Sequence, residues 1–175
     1  MQRLRLVPLL ALSAWLPGLI SCASKPASLR TYQLGEKVAV GHLIYSAFDT
    51  QWLTEIGEGM DARVPQQRFF LVRMAVTNSG GQPVAAPNLS VVDDKGTSYE
   101  ELSDGQGVSQ WIGFLRQLDA SDTAQGNLVF DVPPRHYKLR VSDEGGQNTA
   151  LIDLPLDFTG NELPDLNIAA PPKKQ

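Results

Sequence analysis

Few side chains in this sequence are equipped for chemistry, and their spacing limits what they can do together. The chain has one cysteine, Cys22, and two histidines, His42 and His136. A lone thiol closes no internal disulfide and completes no thiolate metal centre. A zinc site would have to bring His42 and His136 together beside carboxylates, and His136 falls on the polar side of an alternating run, where a solvated role is expected. Asp93, Asp94 and Asp104 supply oxygens that calcium favours, but calcium needs about six to eight of them and no EF-hand spacing occurs. Aspartate at a hairpin turn has a backbone reason to be there. A Ser-His-Asp site of the hydrolase type would announce itself as Gly-x-Ser-x-Gly, which is absent. The reading is of a chain with no catalytic residues, no metal and no cofactor.

The first 22 residues have the parts of a secretory leader: Arg3 and Arg5, then an apolar run from Leu6 to Ile20 interrupted by Pro8 and Pro17. The run is too short and too broken to span a bilayer as a helix. Leu19-Ile20-Ser21-Cys22 resembles the lipobox of bacterial lipoproteins. The resemblance implies removal of residues 1–21 and acylation of Cys22, with palmitate-type chains holding the protein to a membrane of the cell envelope. One chain binds a bilayer marginally, whereas two or three hold firmly. The other reading is a general secretory cut at the small residues Cys22-Ala23-Ser24. Ser24, where an Asp resembles an inner-membrane retention signal, favours the outer membrane in a Gram-negative host. With Arg3 and Arg5 gone, 13 basic and 19 acidic side chains remain, a net of −6. That balance excludes nucleic acid as a partner, since the phosphate backbone needs a basic face.

The elements that must position any site are strands. After a Ser, Lys and Pro-bearing tether over residues 22–31, Val38 and Val40 alternate with Lys37 and Ala39 as in a half-buried strand, and Gly41 breaks the run. His42 to Trp52 is rich in β-branched and aromatic residues. Thr54 to Gln67 loses periodicity and reads as a long, mobile loop. Arg68 to Asn78 is the strongest strand: Phe70, Val72, Met74 and Val76 make one apolar face, and Phe69, Leu71, Arg73, Ala75 and Thr77 a mixed one. Leu89 to Val92 turns through Asp93-Asp94-Lys95-Gly96 and returns through Tyr99 as a hairpin. Ser103 to Gly107 is a loop, Trp111 to Leu115 is apolar with no clear period, and Leu118 to Gly126 holds a polar turn. Leu128, Phe130 and Val132 alternate until Pro133-Pro134 stops them; Tyr137, Leu139 and Val141 alternate next, and Leu151 to Leu156 closes the set. Short strands between turn signals, with no helix, predict an all-β, immunoglobulin-like two-sheet β-sandwich of about seven to nine strands over residues 32–158, with an up-and-down barrel as the rival. Residues 159–175, polar and proline-rich, read as a disordered tail.

The order of these features resembles a family of immunoglobulin-like domains in bacterial surface lipoproteins, once labelled telomeric repeat-binding factor and similar in fold to a secreted mycobacterial immunoprotective antigen. The resemblance rests on Leu34-Gly35-Glu36 before Val38 and Val40, on Phe70 to Asn78 ending in Asn before a Gly, on Asp93 to Gly96 with Tyr99, and on Gly126 to Pro133. Asp119 to Ala124 departs from it, lacking the Pro-Gly-Glu found there. The family supplies no catalytic residues. It implies a non-enzymatic domain of unknown function.

Two functions remain in view. The first is an envelope-tethered module that binds a protein or a glycan, with Trp111, Phe114, Trp52 and Glu58 as candidate contact residues. The same aromatics are otherwise core. The second is an envelope hydrolase or metal-dependent enzyme on a sandwich scaffold, which would require His42 and His136 to share a cleft.

Overall fold

The computed structural model describes residues 29–156. In chain order its strands are β1 (Thr31–Tyr32), β2 (Val38–Val40), β3 (Leu43–Leu53), β4 (Phe69–Asn78), β5 (Val84–Ala86), β6 (Ser90–Asp93), β7 (Ser98–Glu100), β8 (Arg116–Leu118), β9 (Thr123–Asp131), β10 (Tyr137–Ser142) and β11 (Thr149–Leu154). The leader, Cys22, most of the tether and the Pro-rich tail lie outside the described residues.

One sheet has the order β1-β11-β10-β6-β7 and the other β2-β3-β4-β9, while β5 and β8 form a separate ribbon. Neighbours are antiparallel except β1, which lies parallel to β11. The two main sheets therefore hold nine strands, as the spacing of turns predicts, and they pack face to face over one core.

β4 organises that core. Phe70, Val72, Met74 and Val76 are all buried against the facing sheet, as the alternation predicts. Trp52 stacks on Phe70 at 4.3 Å, and Tyr137 crosses from the other sheet to within 5.8 Å of Phe70, with Tyr99 edge-on beyond it. Such offset and edge-on pairs add to the burial of their area. The two buried phenols keep partners: Tyr45 donates to the Ser142 carbonyl at 2.8 Å and Tyr137 to that of Pro133 at 2.7 Å. Burial pushes both phenols far up, so both remain donors.

The end of β4 is fixed by Asn78, which is fully buried. Its Nδ2 donates to the carbonyls of Gln82 (2.8 Å), Asp119 (3.0 Å) and Leu118 (3.3 Å), and its Oδ1 accepts from Gly80 N–H at 2.9 Å. One amide thus satisfies four backbone groups and joins β4 to the 119–122 turn. In that turn Ser121 takes a left-handed φ of 66° and Asp122 N–H returns to the Asp119 carbonyl, so it closes without the family's Pro-Gly-Glu.

Two features differ from the sequence expectation. Trp52, a candidate contact residue, is 2% exposed and belongs to the core. The reason is a β-bulge between Ala47 and Asp49. One extra residue reverses the inside–outside parity of β3, so Tyr45 and Trp52 both point inward although seven positions separate them. The polar turn expected within Leu118 to Gly126 is present at residues 119–122, between the end of β8 at Leu118 and the start of β9 at Thr123. The β5–β8 ribbon has no counterpart in the sequence reading. It sits over a buried ion pair between Arg116 and Glu101, both 1% exposed.

Candidate functional site

The two longest irregular segments, distant in sequence, fold together on the outer face of the four-stranded sheet. Loop 54–67 is not free of structure. Ile56 and Arg63 exchange backbone hydrogen bonds at 3.0 and 2.7 Å around a short 3-10 turn, Gly59–Asp61. Ile56 is buried with Phe69, Leu71 and Val129, and Leu53, Leu102, Val108 and Trp111 pack around them. This second cluster explains why the mixed face of β4 begins with two large apolar residues. Segment 102–112 covers it from the other side: Leu102 N–H bonds the Val129 carbonyl, and Gln110 and Ile112 bracket Asn127. Arg63 joins the loops, donating to the carbonyls of Gln106 (2.9 Å) and Asp104 (3.2 Å) with the Asp104 carboxylate 3.5 Å away.

Two glycines admit this arrangement. A Cβ on Gly126 would stand 2.3 Å from the Gln110 carbonyl oxygen, and one on Gly105 would stand 2.0 Å from the Trp111 ring. The first lets a strap of backbone cross β9, and the second lets the indole lie flat on the chain.

The candidate contact residues separate accordingly. Trp111 and Phe114 are half-buried, with Trp111 forming a wall of the outer cluster. Glu58 is exposed on the 54–67 loop. Met60 and Val64 on the same loop, and Leu115 after the strap, are largely exposed apolar side chains that the sequence reading did not single out. The structure brings Glu58's loop and Trp111 together and removes Trp52 to the core.

The histidines do not converge. His42 follows β2 and pairs with Glu144 in the β10–β11 turn. His136 precedes β10, its Nδ1 2.9 Å from Asp94 and its Nε2 3.0 Å from Asp153. The six residues of β10 lie between these two places, roughly 20 Å of strand. His136, half-buried, is held between two carboxylates. The turn aspartates are occupied as well. Asp93 accepts from the N–H of Lys95 and Thr97 and pairs with Arg135 at 2.9 Å. Among the described residues no group of three His, Cys, Asp or Glu is arranged to hold a metal ion.

These polar clamps make stability depend on pH. The Asn148 side chain, 2.6 Å from Asp143, is the main reason that carboxyl lies below the usual range, with Gln147 and Asn148 N–H groups assisting against its burial. Burial alone would raise Asp93, but Thr97 N–H, the Arg135 guanidinium and Lys95 N–H outweigh it and lower the carboxyl. His42 chiefly lowers Glu144. A lowered folded pKa contributes stability above the unfolded value, about 4, and loses it as pH falls through the folded one. Glu101 has the opposite sign: burial raises it more than Arg116 lowers it, so its contribution is full in acid and is lost as pH rises. With three groups against one, the urea midpoint should fall as pH drops from about 5 to about 2, and Asp143→Asn should flatten that limb. A midpoint that climbs throughout the acid range would contradict these assignments.

The strand order and the aromatic core define an all-β, immunoglobulin-like two-sheet sandwich. The chain belongs to the DUF4352 family, a domain of unknown function, which it matches over residues 32–149. Solved structures agree on the fold. The yjhA protein of Bacillus subtilis aligns with a TM-score of 0.55 at 14% identity, covering 71% of this chain and 99% of that one. The secreted protein MPT63 of Mycobacterium tuberculosis aligns at 0.53 and 17% identity, covering 73% and 97%. A functionally unknown protein from Listeria monocytogenes aligns at 0.51 and 12% identity, covering 70% and 82%. No curated protein matches the sequence.

Proposed function

We propose that this protein is a non-catalytic interaction module of the cell envelope, held to a membrane by lipid on Cys22 and binding an envelope protein or glycan. The observation that carries this reading is the pairing of loop 54–67 with segment 102–115. They bury a small core of their own and leave Glu58, Met60, Val64 and Leu115 outward. Loops that carry contacts on a rigid scaffold are the usual location of binding residues. The course of the chain supports the anchored geometry. β1 runs parallel to β11 and Arg30 bonds Leu151, so the tether arrives at the end of the sandwich that holds the Gly41-His42 and Asp143–Asn148 turns. Loop 54–67 joins β3 to β4 at the other end, beside the start of β10. The separation of His42 from His136 disfavours the enzyme alternative.

Two experiments test the reading. Cys22→Ser removes the thiol that would carry lipid, so the variant should leave the membrane fraction of lysed cells; a variant that still sediments with envelopes would refute the anchor. In a cross-linking capture from intact cells, replacing 57–62 by a short Gly-Ser turn, or Trp111 by Ala, should weaken recovery of the partner. Replacing both histidines by Ala should leave recovery unchanged, and the reverse pattern would favour the enzyme.

A further inference from the structure

A second feature of the same sheet face is a polar cleft of about 140 Å³ where the strap ends, lined by Asp49, Gln51, Leu71, Arg73, Gln110 and Asn127. Two backbone irregularities meet there. The bulge in β3 falls immediately before Asp49, and Gln110 has a left-handed φ of 50°, one of two such non-glycine residues in the described chain. Bulges near sites re-aim side chains, and a left-handed glutamine costs energy that the surrounding structure must offset. The bulge also turns Trp52 into the main core, and Gln110 precedes Trp111 of the outer cluster, so both irregularities lie where the cleft meets packed structure.

The side chains are left ready for a ligand. Asp49 and Arg73 are partners in the β3–β4 register, yet no ion pair joins them, and Arg73 has no side-chain partner among the described residues. One oxygen of Asp49 accepts from Thr50 N–H, which leaves the other oxygen open. Asn127 donates its amide N–H to the Ser109 carbonyl at 2.7 Å, which leaves its oxygen as an acceptor. Gln51 and Gln110 add two further amides.

We propose that this cleft is a saccharide-binding site for a neutral glycan. One carboxylate and one guanidinium cancel, which disfavours a strongly anionic or cationic ligand. Three amides, a carboxylate and a five-donor guanidinium offer donors and acceptors side by side, matching hydroxyl groups that both donate and accept. Leu71, 6% exposed, is the apolar residue of the lining. A shallow, open site with a few fixed polar groups fits one or two sugar units of a longer chain. The assignment rests on the interaction-module reading and names one partner class for it.

The test is an NMR titration of the ¹⁵N-labelled full chain with three probes at millimolar concentration: tetramers of N-acetylglucosamine, tetramers of glucose, and inorganic phosphate as a charged control. The expected result is that at least one tetramer shifts the amides of Gln51, Arg73, Gln110 and Asn127. Arg73→Ala and Gln51→Ala, both at exposed positions, should each weaken that binding roughly tenfold with the melting temperature unchanged. Absence of shifts with both tetramers overturns the proposal, as do shifts at these residues with phosphate alone or shifts confined to another face. The outcomes separate from those of the module reading. If the tetramers fail while loop variants still lose the captured partner, the cleft assignment falls and the module stands. If the tetramers bind while loop variants capture normally, the cleft stands and the loop surface falls.

Discussion

Arg116→Met should destabilise the domain by about 3–5 kcal/mol at neutral pH, the loss found when one member of a buried ion pair is removed. Both side chains of the Arg116–Glu101 pair are 1% exposed. Arg116 also donates to the Pro87 carbonyl at 3.2 Å, and Glu101 accepts from Leu89 N–H at 2.7 Å. The pair thus ties β8 to the chain on either side of the β6–β7 hairpin. Without Arg116 a carboxylate is left in the interior facing one N–H. The large effect comes from that stranded charge and not from the worth of the pair, because an intact buried pair is offset by its own desolvation. Two consequences follow. The double variant Glu101→Gln with Arg116→Met should recover much of the loss. The single variant should also be less impaired in acid, where Glu101, already raised by burial, takes up its proton. Urea unfolding at neutral and acid pH measures both. A cost under about 1 kcal/mol for the single variant would mean the pair lies in water.

Phe70→Ala should cost about 3–5 kcal/mol, the range for truncating a buried aromatic. Phe70 is 1% exposed, stacks on Trp52 at 4.3 Å and meets Tyr137 at 5.8 Å. It links the two sheets at the end where loop 54–67 leaves β3, so its loss opens a cavity between layers that rigid strands cannot close. Denaturant unfolding followed by tryptophan fluorescence reports the loss directly, since Trp52 forms the other half of the stack. A loss below about 1 kcal/mol would show the site repacks.

The parts legible in the sequence are those where one simple period governs the chain. β4, β9 and β10 alternate over many residues, and the Asp93–Gly96 turn states its hairpin outright. Where short elements or tertiary partners decide, the pattern is silent. β5 and β8 have three residues each, and the middle of the ribbon's environment is a buried arginine, which composition assigns to the surface. Trp52 could not be placed because a bulge four residues earlier reverses parity, and nothing local marks it. The outer cluster was hidden for a different reason. Ile56, Leu102 and Val108 lie in irregular segments without period, and only the apolar start of β4's second face, Phe69 and Leu71, signalled that something covers it. The cleft left a faint trace in the same strand: Arg73 interrupts that face where the cover ends.

The most direct test of the central claim, that the paired loops are the contact surface, is site-specific photo-cross-linking in living cells. A photoreactive residue at Met60, exposed on loop 54–67, is compared with one at Gln147, exposed in the turn before β11, beside which Arg30 and β1 lie. The account predicts a discrete partner adduct from position 60 and none from position 147. An adduct from position 147 with none from position 60 would contradict it.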